Sequence, residues 1–253
     1  MRHIRNIAKT FDATYQTTFS NLLVSGCSFT YNNSDQHACS WPYYLKDLCG
    51  FKEVYDCSQS GAGQNHILYS IVNEIETTDD ITPENTFVII EWSGFTRVDV
   101  IADSEITKDI HFMSNYKYNK RFATLSISED EPGEKTDIGS LNKMYRKLVD
   151  PDAQIYQGCL NICLMKNYLE SKGFNYVFTS MMDPRPELQR VKNILVQETE
   201  KLLSNLEFLH EFSVSTHRVE SCGHPTPDCY LDWTRSHLIP YLENVYPAFF
   251  QKI

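Results

Sequence analysis

The sequence predicts an α/β fold built on a parallel sheet, and three observations carry that expectation. Short runs of β-branched and aromatic residues alternate with stretches of helical periodicity, the pattern of strands joined by crossover helices. The run Phe87-Val88-Ile89-Ile90 is apolar without alternation, as a strand buried on both faces has to be. The chain of 253 residues is long enough to bury one sizeable core without disulfide staples.

The elements follow in order. The first strand is Asn21–Ser25, ending at Gly26, and a short helix is expected around Trp41–Leu48. Glu53–Cys57 reads as the second strand, and Asn65–Ile75 as a helix with Ile67, Ile71 and Ile75 at four-residue spacing. Thr86–Glu91 is the third strand. Residues 98–150 break the rhythm and hold the acidic run Glu129-Asp130-Glu131-Pro132-Gly133-Glu134, so they read as an insertion or lid within a single domain spanning 1–253. A helix over 152–172 carries Ile155, Cys159, Ile162, Met165 and Leu169 on one stripe, with Gly173 as its C-cap. Asn175–Ser180 is the fourth strand, Pro186–Leu203 a helix, and Glu207–Phe212 a weaker fifth strand. The last helix begins at Thr226-Pro227-Asp228, an N-cap, a proline at the first helical position and an acid in the first turn. Pro240 is expected to kink it.

Composition excludes several classes. The net charge of −10 repels phosphate backbones and anionic membranes, so neither nucleic acid nor membrane is an expected partner. No stretch has the ~20 consecutive apolar residues of a membrane helix. Arg2, Arg5 and Lys9 are not followed by the apolar run of a secretory signal, and a cytoplasmic location is the expectation, in keeping with reduced cysteines. The eight cysteines include no C-x-x-C pair, and they read as reduced, mostly buried residues rather than a metal site or disulfide framework. No cofactor is expected, because Gly61-Ala62-Gly63 lacks the third glycine of a dinucleotide fingerprint.

Open parallel sheets place their sites at the carboxyl ends of the strands. There the sequence puts Gly26-Cys27-Ser28-Phe29-Thr30 after the first strand and Ser60-Gly61-Ala62-Gly63-Gln64-Asn65-His66 after the second. Glu91-Trp92-Ser93-Gly94-Phe95-Thr96-Arg97 follows the third, and Cys222-Gly223-His224-Pro225-Thr226 precedes the last helix. A serine, a histidine and turns rich in backbone donors are the parts of acyl transfer: nucleophile, base and oxyanion stabilisers.

These blocks resemble those of the SGNH (GDSL-type) hydrolases, in a divergent form most similar to members encoded by tailed phages and marine bacteria. Gly26-Cys27-Ser28-Phe29-Thr30 is similar to the family's first block, Gly63 to the glycine of the second, and His224-Pro225-Thr226 to the last. The resemblance implies a three-layer α/β/α, flavodoxin-like sandwich of five parallel strands with an insertion after strand three. It implies Ser28 as nucleophile, His224 as base, and oxyanion donors from Ser28 and Gly63. Ser93 stands where the family has an Asn. Asn65, Trp92 and Arg97 are the candidate substrate contacts. The activity implied is cleavage of an O-acyl ester through a serine acyl-enzyme, with an acetylated carbohydrate among the substrates implied.

Three features differ from the family pattern, the first being Cys27 where the family's first block has Asp. Trp92-Ser93-Gly94-Phe95 holds no Asn, and the positions that would carry the acid before His224 are Ser221 and Cys222. They motivate the alternative expectation of a degenerate member kept for binding, oligomerisation or virion assembly.

Overall fold

Strands Asn21–Ser25 (β2) and Thr86–Trp92 (β4) are buried along their whole length, so each must be covered on both faces. The computed structural model describes residues 14–31, 40–95, 97–102, 114–115, 120–126, 144–145, 147–180, 185–191, 208–210 and 225–253. In chain order the flanking elements are β1 (Tyr15–Thr17), α1 (Trp41–Cys49), β3 (Glu53–Asp56), α2 (Gln64–Thr77), β5 (Arg97–Ala102), β6 (Ser114–Asn115) and β7 (Lys120–Ser126). There follow α3 (Pro151–Lys172), β8 (Asn175–Ser180), α4 (Arg185–Val191), β9 (Phe208–His210), α5 (Pro227–Trp233), α6 (Ile239–Val245) and β10 (Phe250–Lys252).

The central sheet has the order β3-β2-β4-β8-β9, and every neighbouring pair is parallel. Four strands form its body, and β9 pairs along the edge through three residues. Counted along the chain, that order is 2-1-3-4-5, the flavodoxin-like arrangement of doubly wound folds. The order reverses between β2 and β4, which puts the crevice of this fold beyond the end of β2.

The pleat sorts alternate side chains into two cores. Leu22, Val24, Phe87 and Ile89 pack with Trp41, Leu45, Trp233, Leu238 and Leu242, on the α1–α5–α6 side. Leu23, Val88, Ile90 and Trp92 pack with Ile67, Ile71, Ile155, Ile162 and Leu169, on the α2–α3 side. The result is three layers.

Local signals fix the ends of the elements. Gly50 and Gly173 close α1 and α3 in the left-handed conformation, at φ 75° and 81°. Asp150 caps α3 by accepting the Asp152 N–H at 2.9 Å. Thr226 and Pro227 open α5. The disturbance expected from Pro240 takes the form of one π-helical turn, Thr234–Leu238, between α5 and α6. There the Ile239 N–H donates to Thr234 O, a wider step that makes room just before a residue with no N–H to give.

After β4 the chain leaves the parallel sheet for a small antiparallel one, ordered β5-β7-β6, within the stretch read as an insertion. β1 pairs with β10, a second antiparallel contact that the sequence pattern did not announce. Of the helix expected over 186–203 the described part is Arg185–Val191. No described helix is long and apolar enough to cross a membrane, and no described cluster of His, Cys, Asp and Glu could hold a metal ion.

Candidate active site

The end of β2 turns sharply. The Cys27 carbonyl accepts the N–H groups of Thr30 and Tyr31 at 3.1 and 2.9 Å, so Ser28 stands at the first corner of a tight turn, half-buried. Gly26 is needed there because a Cβ would run into Thr30 and the Glu91 Cβ. β4 lies alongside in register, Ser25 opposite Ile90, which brings Glu91 beneath this turn.

The floor of the turn is acidic and dry. Thr30 donates its hydroxyl to Glu91 Oε2. Glu91 is 1% exposed, and this burial raises its carboxyl to about 7, opposed by the Thr30 hydrogen bond, the Arg97 charge and the Trp41 side chain. Cys27 is fully buried beside it. Burial and the neighbouring Glu91 push the thiol up to about 12, against Arg97 and hydrogen bonds with Phe29 and Ser28. Burial thus favours the neutral thiol at Cys27, packed into the floor of the turn. On the other side of β2, Asp56 at the end of β3 is likewise raised by burial, to about 6, while Ser58 and Tyr43 donate to it.

The second turn is anchored at both ends. Gln59 N–H donates to Gly26 O at 3.1 Å, tying the turn to β2. At the far end Asp99, reaching over from β5, accepts Gly63 N–H on Oδ1 at 2.9 Å and His66 N–H on Oδ2 at 2.7 Å. These are backbone donors of the first turn of α2, where a carboxylate is the natural cap. A Cβ on residue 63 would lie 2.7 Å from both Asp99 oxygens, so Gly63 is glycine to admit this acid. That corrects the role expected for Gly63: its N–H, read as an oxyanion donor, is already given to Asp99. Gly61 offers what Gly63 does not. Its φ is 72°, it is half-buried, and its N–H donates no hydrogen bond among the described residues. The available sequence signal was a second glycine in the Ser60-Gly61-Ala62-Gly63 turn.

The remaining candidates divide. Trp92 is in the core: β4 extends one residue further than expected, and period two sends its indole inward, edge-on to Phe178 at 5.6 Å. It therefore cannot be the substrate contact suggested by its sequence position. Asn65 is exposed but occupied, accepting from Asn161 at 2.8 Å and donating to Asp99 O at 3.4 Å. Ser93 is buried. Its carbonyl accepts from Gln64 Nε2 at 3.2 Å, and its hydroxyl has no partner among the described residues. Arg97 opens β5 half-buried, with Nη1 buried and unpartnered among the described residues. His224 lies outside the described residues, immediately before Pro225 and the cap of α5. His66 is buried, and burial lowers its imidazole below the ordinary value while Asp99 pulls it up.

The structure thus brings Ser28, Gly61, Ser93 and Arg97 to one edge of the sheet. It adds Glu91 and Thr30 beneath them and Asp99 beside them.

No family model matches the chain, and no curated protein matches it. Solved structures do. The chain is similar to TesA at 13% identity, covering 89% of this chain and 99% of that one, with a TM-score of 0.47. It is similar to a G-D-S-L family protein from Desulfitobacterium hafniense DCB-2 at 10% identity over 85% and 96% of the two chains, with a TM-score of 0.42. It is also similar to the psychrotrophic esterase EstA from Pseudoalteromonas sp., in a structure inhibited by monoethylphosphonate, at 12% identity over 89% and 100%, with a TM-score of 0.47.

Proposed function

We propose that this protein is a serine hydrolase of O-acyl esters, of the SGNH type. The observation that supports it best is the pairing of two turns at the topological switch point. Ser28 sits on a tight turn at the end of β2, and Gly61, whose N–H is engaged by no partner among the described residues, sits on the turn tied to Gly26 through Gln59. In this reading Ser28 Oγ attacks the ester carbonyl and His224 takes its proton. The oxyanion is held by the N–H groups of Ser28 and Gly61, with Ser93 as a further donor. Collapse of the tetrahedral intermediate expels the alcohol, which takes the proton from His224, and water then releases the acid by the same steps. Arg97 is the candidate contact for a polar substituent of the substrate, and an acetylated carbohydrate is one substrate class that this reading admits.

A second reading, a binding module without turnover, is favoured by one observation: a protein carboxylate occupies the backbone donors at the head of α2. Hydrolysis of a panel of p-nitrophenyl esters separates the two. The hydrolase reading expects turnover that falls at least ~10³-fold in both Ser28→Ala and His224→Ala. Wild-type rates no higher than those of Ser28→Ala would favour the binding module.

A further inference from the structure

Gly61 is held between two fixed points. On one side Gln59 N–H donates to Gly26 O and Ala62 N–H closes back on Gln59 O at 3.0 Å. On the other, the head of α2 is fixed by Asp99, 7% exposed, through its two carboxylate bonds to Gly63 and His66. The grip is built from both directions. Gly63 has no side chain, which lets the carboxylate close onto its Cα. Asn65 donates to the Asp99 carbonyl and accepts from Asn161 of α3.

We propose that Asp99 is a positioning residue for ester hydrolysis, acting through the Gly63 and His66 N–H groups to hold the Gly61 N–H where the oxyanion forms. This rests on the Ser28 reading above and deepens it. A donor acts on a transition state only if it is already in place, and a misplacement of about 1 Å can cost ~10²-fold in rate. Asp99 touches no reacting atom. Its influence falls on the charge that develops in the transition state, and therefore on kcat rather than KM.

The test is steady-state hydrolysis of p-nitrophenyl acetate by the full chain and by two variants, each checked for folding by circular dichroism. In Asp99→Asn an amide replaces a carboxylate that accepts from two N–H groups. In Gly63→Ala the acid remains, but the new methyl displaces it. Both are expected to lower kcat by roughly 10- to 100-fold with KM within about threefold. A cap that serves stability alone would lower the melting temperature and leave kcat of the folded protein unchanged. Unchanged kcat in a folded Gly63→Ala would overturn the assignment, whether or not Asp99→Asn folds. A wild type without Ser28-dependent turnover would instead overturn the Ser28 reading itself, and this assignment with it.

Discussion

Glu91 and Asp99 stand on opposite faces of one sheet edge, and their surroundings differ. Glu91 faces α1, enclosed by Cys27, Thr30 and Trp41, with the Thr30 hydroxyl, the nearby Arg97 and the Trp41 side chain to support a charge. Asp99 faces α2, where a helix start supplies it with two backbone N–H groups. The first carboxyl is raised to about 7 because burial outweighs what supports the charge. The second is spent on fixing a turn. The first acid is shaped by dry burial, and the second is tied into the backbone of a helix start.

Glu91→Gln gives the largest expected effect on that comparison. The unfolded chain releases the Glu91 proton near the ordinary 4.5, whereas the folded protein keeps it until about 7. Between those values the folded state binds more protons, so its stability falls as pH rises. The shift corresponds to roughly 3 kcal/mol. Chemical denaturation from pH 4 to pH 8 should show this decline in the wild type and a flatter profile in Glu91→Gln, which stays neutral and still accepts from Thr30. Equal pH slopes in the two proteins would contradict a raised Glu91 carboxyl.

A smaller effect is expected from Gly26→Ala. The added methyl has to push Thr30 off Glu91, an overpacking cost of about 1–3 kcal/mol. Denaturant midpoints measure it. If Gly26→Ala is silent, the floor beneath Ser28 is looser than its packing indicates.

Much of the fold was legible because its two central strands, β2 and β4, are buried on both faces. Asn21–Ser25 and Asn175–Ser180 were bounded correctly, and Gly173 and Thr226-Pro227 marked helix ends through local chemistry. The pairing of β1 with β10 was not legible, since three residues at each end of the chain carry no period. The antiparallel sheet was missed for a related reason: Arg97-Val98-Asp99-Val100 alternates, but its partner strand begins only at Lys120. At the site, the position of Ser28 followed from the strand end alone. Trp92 misled because the strand ran one residue further and turned the side chain inward. Gly63 misled because its N–H goes to an acid 36 residues away, a contact that no local pattern announces.

The central claim is that Ser28 is an activated nucleophile, and covalent labelling tests it most directly. The full chain is incubated with a fluorophosphonate and the adduct mapped by mass spectrometry. One phosphonyl group on Ser28, lost in His224→Ala and retained when Cys27 is replaced by alanine, is the expected result. An unlabelled Ser28, or a label carried by another residue, would contradict the account.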